Sequence, residues 1–467
     1  MSEQPRTRQE LYDRIRQTSK DEFILDEMIR LGFWPRQGEV PQDPADEIRR
    51  RAELQKELND LYAESRRLNN EEQLRKEARK KRLEASRQKQ KENKERREQE
   101  RIERAQVWQQ RKQHELLYLG KGVSGGLNAT QCDAERLALY GLPAYSTAEE
   151  IAKAMGIALG ALRFLAFARR TSTVSHYVRF TIPKKTGGER TISAPMPRLK
   201  EAQYWVMHNI LNKVQMHEAA HGFRPGRSIV SNAQPHVGSD VVINLDLQNF
   251  FPTITYRRVK GLFRALGYSE AAATVFALLC TEPEVTALEL DRKQYFVAHS
   301  ERYLPQGAPT SPVITNLLCR KLDKSLTTMA TKLGFRYTRY ADDLTFSASG
   351  ESTQQVNTLL RRVAFLVHQE GFIIHPDKTR ILRKGRQQEV TGIVVNDRIG
   401  IDRKELKRFR ATLYQIERDG LENKHWGYAQ DLLASLSGFA NFVCMVDPAK
   451  GAVFQEQVRR IRSRYSS

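Results

Sequence analysis

The chain has 467 residues, and its 77 lysines and arginines exceed its 56 aspartates and glutamates by 21 charges. That length is too great for one compact core, so two or three structural units are expected. The basic excess favours polyanionic partners, with nucleic acid first, although a solvated basic surface would give the same balance. A polar N-terminus and the lack of any apolar run of about 18 residues argue against a signal peptide or a membrane-spanning helix, so a cytoplasmic location is expected. The cysteines are far apart and predict neither a zinc site nor a disulfide framework: Cys132, Cys280, Cys319 and Cys444.

The N-terminal part differs in composition from the remainder. Residues 1–45 include LDEMIRLGFWP, an apolar patch that ends at Pro35 and predicts a small helical segment. Residues 46–119 contain neither Gly nor Pro and are rich in Glu, Lys, Arg, Gln and Leu, which predicts one long charged helix. Because apolar residues nearly vanish between 71 and 101, this helix is not a packed core element. It is either an arm that contacts RNA or a partner, or a solvated spacer.

A glycine-rich linker at residues 120–133 leads into a segment of ordinary composition. There Ser146 is predicted as the N-cap of a helix whose apolar spacing runs to Leu165. Strand-like runs follow, with helical stretches between them: HYVRFTIP, VVINLDL, FRYTRYADDLTFSAS and EVTGIVVN. The pattern predicts an α+β fold.

Three aspartates suggest a metal site. In FRYTRYADDLTFSAS the alternation on each side of Ala-Asp-Asp predicts two strands joined by a tight turn, with Asp342 and Asp343 at its tip. Asp246 ends the apolar run VVINLD, where an unpaired carboxylate would be unfavourable. If the three bind Mg²⁺, which prefers oxygen ligands, two ions would activate a 3′ hydroxyl and stabilise a leaving pyrophosphate. The alternative for the Asp-Asp pair alone is an ordinary polar hairpin turn.

These features resemble reverse transcriptases, whose Tyr-x-Asp-Asp motif matches Tyr340 to Asp343 and whose upstream palm aspartate matches Asp246. The resemblance implies that Asp246 and Asp342 are metal ligands, that Asp343 supports the same cluster, and that the Leu247 carbonyl adds a ligand. It also implies two Mg²⁺ ions as cofactor, with Mn²⁺ as a substitute.

A basic hairpin precedes the palm aspartates. In YVRFTIPKKTGGERTISAP two strand-like arms flank a Gly-Gly turn, and the tip carries Lys184, Lys185 and Arg190. On this segment alone a solvated basic turn is the better interpretation. The resemblance implies instead that Arg190, with Lys184 or Lys185, contacts the nucleotide triphosphate.

Three more positions match substrate-binding positions of reverse transcriptases. Phe251 corresponds to the aromatic that blocks a ribose 2′ hydroxyl, unless it packs in the core together with Phe250. Gln306, in LPQGAPTSP, corresponds to a residue that lines the nucleotide pocket. Lys378, in HPDKT, corresponds to a general acid for pyrophosphate, and the alternative is a surface lysine.

Two segments narrow the resemblance to retron reverse transcriptases, which have an Asn-Ala-x-x-His pattern and a Val-Thr-Gly motif on either side of the palm aspartates. The matching residues, to which the resemblance assigns RNA binding, are Asn232, Ala233, His236, Val390, Thr391 and Gly392. A satisfied core histidine and a plain β-strand are the alternatives for the two segments.

The resemblance covers residues 130–465 and implies a right-hand polymerase. Fingers with the start of the palm occupy residues 134–240, the palm 241–398 and a helical thumb 399–467. The implied activity is reverse transcription of part of a cognate structured noncoding RNA, primed from an internal 2′ hydroxyl, which gives a branched RNA-DNA molecule. The implied partners are that RNA and its DNA product, dNTPs, a separate ribonuclease H and an effector protein in antiphage defence. The alternatives are a maturase like those of group II introns and a noncatalytic RNA-binding scaffold that restrains a toxin.

Overall fold

A computed structural model describes residues 7–35, 44–183, 187–427 and 431–465. The chain forms two compact units, residues 1–108 and 109–467. No helix in the described ranges is both long and apolar enough to cross a membrane. The first unit contains α1, Arg8–Gln17; α2, Lys20–Arg30; α3, Pro44–Asn69; and α4, Glu71–His114, which continues past the unit boundary.

The long helix predicted over residues 46–119 is interrupted at Asn70. The Asn70 side chain accepts a hydrogen bond from the Gln73 N–H at 3.3 Å, which satisfies one of the free donors at the start of α4. Asparagine bonds to nearby backbone in this way, so it favours helix ends over helix interiors. Beyond the break α4 runs for 44 residues, about 66 Å, with nearly every described side chain exposed. The long charged N-terminal helix is thus confirmed, as two helices.

The second unit mixes helices and strands, as the sequence predicts. Its strands are β1, Thr171–Ser172; β2, Tyr177–Pro183; β3, Glu189–Pro195; β4, Val241–Asp246; β5, Val285–Leu290; β6, Lys293–Ala298; β7, Arg336–Tyr340; β8, Asp343–Ala348; β9, Arg380–Arg383; β10, Glu389–Val390; and β11, Ile393–Val394. Its helices up to the palm aspartate are α5, Ala134–Leu139; α6, Ala148–Met155; α7, Leu159–Ala166; α8, Pro197–Asn209; and α9, Ile229–Ala233. The later helices are α10, Tyr256–Ala265; α11, Glu270–Cys280; α12, Ser311–Leu318; α13, Arg320–Lys332; α14, Val356–Gln369; α15, Arg403–Asp419; α16, Leu432–Val446; and α17, Pro448–Tyr465.

A four-stranded antiparallel sheet of order β7-β8-β4-β9 lies at the centre of the second unit. In β4, Val241, Val242 and Ile243 are all fully buried. Consecutive strand residues point to opposite faces, so both faces of β4 are covered by protein. β4 is hydrogen-bonded on one side to β8, which is buried beyond Asp343, and on the other side to β9. Its end is therefore a rigid position for a functional side chain.

The C-terminal helices form a second apolar cluster beside this sheet. Phe409 of α15 packs on Trp426 and on Phe454 of α17, with ring centroids 4.9 Å and 5.3 Å apart. Val390 of β10 and Ile393 of β11 are buried in the same cluster. The helical thumb of the predicted right-hand fold is confirmed, and β10 and β11 join it to the sheet.

Two local predictions are wrong in detail. The helix predicted from Ser146 to Leu165 is two helices, because Gly156 adopts a left-handed φ of 70° that ends α6, and its N-cap is Thr147, which forms a capping box with Glu150. The segment EVTGIVVN is not one strand but the hairpin β10-β11, in which Val390 pairs with Ile393. Glycine accepts positive φ without strain, which explains the break at Gly156.

Candidate active site

Two neighbouring strands carry the candidate metal-binding carboxylates. Asp246 ends β4 and Asp343 begins β8, and the strand register pairs them directly. Asp342 lies beside Asp343 in the two-residue turn, where its carbonyl accepts the Leu247 N–H at 3.0 Å. Ala341, the other turn residue, has a φ of 57° in the left-handed region that non-glycine residues adopt only with strain. This turn brings three carboxylates to one end of the sheet.

The carboxylates perturb one another. The Asp343 side chain reaches solvent. Its partial burial, followed by the charges of Asp342 and Asp246, raises its pKa to about 7. Burial, with a contribution from the Asp246 charge, also raises the pKa of Asp342, while Lys378 and Arg190 act to lower it. The repulsion between carboxylates held this close falls when one of them takes up a proton or when a cation binds between them.

Lys378 currently neutralises part of this cluster. Its ammonium donates to both oxygens of Asp246, at 3.0 and 3.1 Å. Within the described ranges no three His, Cys, Asp or Glu side chains are arranged to hold one metal ion. The donor set still fits a divalent cation, because hard oxygen ligands and mutually repelling carboxylates are what such an ion binds. A cation at Asp246 would have to compete with Lys378.

A cavity of about 640 Å³ opens at the carboxylates. Asp246, Asp343 and Lys378 line one part of it, and Thr391 and Gly392 of the β10-β11 turn line another. The turn is tight, with φ of 48° at Thr391 and 83° at Gly392. Thr391 and Gly392 of the Val-Thr-Gly segment therefore face the same space as Asp246 and Asp343.

The predicted basic hairpin is the pair β2-β3. Its register sets Arg190 opposite Ile182, and the Arg190 side chain is exposed. Arg190 acts electrostatically on Asp342, so the hairpin reaches toward the carboxylates. The other two predicted triphosphate contacts, Lys184 and Lys185, lie outside the described residues.

The loop that contains Gln306 is fixed against this hairpin. The Gln306 carbonyl accepts the Ser193 N–H at 2.7 Å. Gly307 has a φ of 118°, and a Cβ there would lie 2.8 Å from the Ser193 carbonyl oxygen. Only glycine permits so close an approach in this conformation. Gln306 is thus held at the base of β3, and its role in the nucleotide pocket stays a prediction.

Phe250 and Phe251 differ in burial. Phe250 is 3% exposed and packs on Phe372 with ring centroids 5.4 Å apart. Phe251 is only partly buried and touches Phe250 edge-on. Phe250 packs in the core, whereas the Phe251 ring reaches solvent, so Phe251 is the ring that could contact a nucleotide. Its role in excluding a ribose 2′ hydroxyl stays a prediction.

Comparison with known proteins decides the family. A model of the family "Reverse transcriptase (RNA-dependent DNA polymerase)" matches residues 182–395. The retron Mx162 reverse transcriptase of Myxococcus xanthus is 47% identical over 344 residues, which is 71% of this chain and 70% of that protein. The chain is a retron reverse transcriptase.

Other relatives agree. The retron Mx65 reverse transcriptase of Myxococcus xanthus is 41% identical over 71% of this chain and 74% of its own length. Among solved structures, a telomerase from Candida tropicalis aligns over 58% of this chain and 52% of its own with a TM-score of 0.38 and 10% identity, too slight a likeness to carry an argument. Membership makes the chain an RNA-directed DNA polymerase, and the family requires a divalent metal.

The Asn-Ala-x-x-His segment of this reverse transcriptase is buried. Asn232, Ala233 and His236 have no exposed surface. The two ring nitrogens of His236 meet the Ser347 hydroxyl of β8 at 2.7 Å and the Thr338 hydroxyl of β7 at 2.8 Å. Burial, with help from the Arg336 charge, lowers the pKa of His236 to about 3. The ring is therefore a neutral bridge between two palm strands.

The two retron segments also meet each other. The Asn232 amide donates to the Thr391 hydroxyl at 3.4 Å, and Ala233 is buried in the same apolar cluster as Val390. Side chains without exposed surface do not reach RNA directly in this conformation. The predicted RNA-binding role of Asn232, Ala233 and His236 thus depends on the Thr391-Gly392 turn that they support.

A buried ion pair beside the Tyr-Ala-Asp-Asp turn is absent from the sequence predictions. The Arg339 guanidinium and the Asp323 carboxylate have no exposed surface and form two hydrogen bonds, at 2.8 and 2.7 Å. Arg339 also donates to the Ala341 carbonyl and to Asn316, each at 3.0 Å. The one sequence signal is that Arg339 lies two residues after the buried Tyr337, on the core face of β7.

Proposed function

We propose that this enzyme reverse transcribes part of a cognate structured noncoding RNA, starting from an internal 2′ hydroxyl, and leaves a branched RNA-DNA molecule. The observation that carries the proposal is the direct pairing of Asp246 with Asp343, beside Asp342, in a cavity that Thr391 also lines. A polymerase centre and a segment typical of retrons then share one space. The similarity to two retron reverse transcriptases, over 70% and 74% of their lengths, supports the same activity.

The carboxylates are proposed to bind two Mg²⁺ ions, with Mn²⁺ as a substitute. Asp246 and Asp342 would be ligands, Asp343 would support them, and the Leu247 carbonyl would add an oxygen. When bound, such ions activate the attacking hydroxyl and neutralise charge on the pyrophosphate. The rigid end of β4 and the strained turn at Ala341 supply the positioning, because both are fixed by buried contacts.

The substrate side involves residues on three elements. Arg190, with Lys184 or Lys185, is proposed to bind the triphosphate, since the β2-β3 hairpin directs positive charge toward Asp342. Phe251 would exclude a ribose 2′ hydroxyl by steric contact, which selects dNTPs. Gln306 would line the nucleotide pocket from the loop that is bonded to β3.

Lys378 is proposed as the general acid that gives a proton to pyrophosphate. It now donates to Asp246, so it would act only after a cation has taken over that carboxylate. Its position at the cavity supports the proposal. The rival interpretation as a surface lysine predicts no effect on the rate.

RNA recognition and partners follow from the family. The cognate RNA is proposed to contact Thr391, Gly392 and the basic thumb. Four buried residues would support the Thr391-Gly392 turn: Asn232, Ala233, His236 and Val390.

The proposed boundaries are an N-terminal segment at 1–45, the arm at 46–119, a linker at 120–133, fingers at 134–240, palm at 241–398 and thumb at 399–467. A separate ribonuclease H would remove template, an effector protein would couple the product to antiphage defence, and the enzyme would work in the cytoplasm, where its substrates are.

The test is to express the protein with the DNA upstream of its gene and to look for DNA that stays joined to RNA until a debranching enzyme cleaves the bond at the 2′ oxygen. Asp342→Asn should abolish the product. Asp291→Asn is the matched control, because Asp291 is exposed in the β5-β6 turn with a φ of 50° that asparagine also adopts. Product from Asp342→Asn would refute the metal assignment, and linear DNA from the wild type would refute 2′ priming.

A further inference from the structure

The cations of α4 are unevenly distributed. Residues 79–91, RKKRLEASRQKQK, contain seven lysines and arginines and one glutamate. The next 13 residues, 92–104, contain five of each sign. We call residues 79–91 the cationic segment. All of its side chains are exposed, so its charge faces solvent along about 20 Å of helix.

Ion pairs follow the same division. Before the cationic segment, Lys76 pairs with Glu72 at 3.0 Å. After it, Arg101 pairs with Glu98 at 2.7 Å, and Arg104 pairs with Glu100 at 3.5 Å. In the described part of α4, no cation of the cationic segment has an ion pair within 4.0 Å. The segment therefore carries uncompensated positive charge, whereas its flanks are neutralised within the helix.

Helical geometry makes this charge self-repulsive. Arg79 and Arg82 are three residues apart and Arg87 and Lys91 are four apart, and like charges at these spacings destabilise an isolated helix by about 0.2–0.5 kcal/mol per pair. At 100° per residue, Lys80, Arg87 and Lys91 lie within about 40° of one another on one face. A polyanion along that face would relieve the repulsion and gain several contacts at once.

Composition selects among polyanions. Leu83 and Ala85 are the apolar residues of the cationic segment, too few for the broad apolar face by which helices insert at a lipid surface. Exposed Lys and Arg without apolar neighbours are typical of contacts to phosphate backbones. Before synthesis begins, the nucleic acid that a reverse transcriptase must hold is RNA.

We propose that the cationic segment of α4 binds the phosphate backbone of structured RNA. The inference rests on the proposed function only in taking RNA as the molecule to be held, and it assigns to the arm a binding surface separate from the polymerase centre. The contacts are to phosphates, so they anchor RNA without reading its sequence.

The test compares two variants of the full chain that lose the same charge. The first is Lys80→Gln, Lys81→Gln, Arg87→Gln and Lys91→Gln in the cationic segment. The control is Lys94→Gln, Arg96→Gln, Arg97→Gln and Arg101→Gln in the balanced flank. Glutamine is a good helix former, so both should keep the helix content of the wild type by circular dichroism. The probe is a short RNA hairpin, and its affinity is measured over a range of salt concentrations.

The first variant should bind the hairpin at least about tenfold more weakly than the wild type, and its salt slope should fall by about one for each phosphate contact removed. The control should lose less than about threefold, because neighbouring glutamates already neutralise its cations. Equal losses in the two variants, or no loss in the first, would overturn the proposal. So would a loss of binding to phosphatidylserine vesicles without a loss of binding to the RNA.

The design separates this inference from the proposed function. Asp342→Asn, which removes a proposed metal ligand, should bind the hairpin as tightly as the wild type. If the wild type makes no branched product yet shows the difference between the two charge variants, the proposed function fails and the arm still binds RNA. If the product forms and the variants bind alike, the inference about the arm fails alone.

Discussion

The buried pair of Arg339 and Asp323 makes a sharp prediction. In Asp323→Leu the guanidinium loses both carboxylate bonds and stays in a site without exposed surface. An uncompensated buried charge destabilises by about 3–5 kcal/mol. We expect a loss of this size in the free energy of unfolding, measured by urea denaturation. Arg361→Met is the control, because Arg361 is exposed on α14 and its loss should change stability by less than about 0.5 kcal/mol.

The double variant Arg339→Met with Asp323→Leu separates stability from positioning. Replacing a whole buried ion pair by apolar residues is often neutral or stabilising, so most of the lost stability should return. The Ala341 carbonyl, however, still lacks the donor that held it at 3.0 Å. We therefore expect primer extension with a preannealed template to stay at least about tenfold below wild type, equal to about 1.4 kcal/mol of barrier.

Two results would refute this reasoning. A double variant with wild-type extension rates would mean that Arg339 only stabilises the fold. An Asp323→Leu variant as stable as wild type would mean that the guanidinium is not held as a buried charge. For the nucleotide, kcat and KM should be measured separately as well. A misplaced turn lowers kcat, whereas a distant packing defect does not.

Three further predictions concern separate parts of the molecule. Unfolded histidine titrates near 6.5 but folded His236 only at about 3, so the unfolded state alone binds this proton between those values. Stability should therefore fall as pH drops from about 6.5, by up to about 1.4 kcal/mol per unit, and urea midpoints should show a shallower fall in His236→Gln than in a variant of the exposed His208. Gly307→Ala places a Cβ 2.8 Å from a β3 carbonyl oxygen at a φ of 118°, so it should lower the free energy of unfolding by about 1–3 kcal/mol. The control Gly261→Ala lies in a helix with no atom within 4 Å of the new Cβ, so it should raise that free energy by about 0.5–1 kcal/mol. Equal effects of the two substitutions would contradict the clash at Gly307. Lys378→Gln should lower both the half-saturating Mg²⁺ concentration and the maximal rate, and an unchanged rate would leave it a surface lysine.

The central turn was predictable because its signals are local. Alternation in the residues around Ala-Asp-Asp gives two strands and a tight turn between them. Asp246 at the end of an apolar run gives a buried strand that needs a partner for its carboxylate. The break at Asn70 is not predicted, because Asn59 and Asn93 lie inside α3 and α4 without ending them, so an asparagine alone does not mark a helix end.

The remainder depends on contacts between distant residues. Lys378 meets Asp246 across 132 positions, and no local pattern names that pair. The burial of His236 depends on hydroxyls of β7 and β8, so its motif could be recognised while its role as a strand bridge could not. The pairing of Arg339 with Asp323 also joins two elements, β7 and α13, and no local pattern names Asp323 as the partner.

The register of β4 against β8 has an evolutionary consequence. Six residue pairs, from Val241 with Ala348 to Asp246 with Asp343, fix it. Side chains alternate faces along a strand, so the insertion or deletion of a single codon within either strand would turn Asp246 away from Asp343. Relatives of this enzyme can therefore differ in the length of the connections outside these strands, but we expect no insertion or deletion within the twelve paired positions.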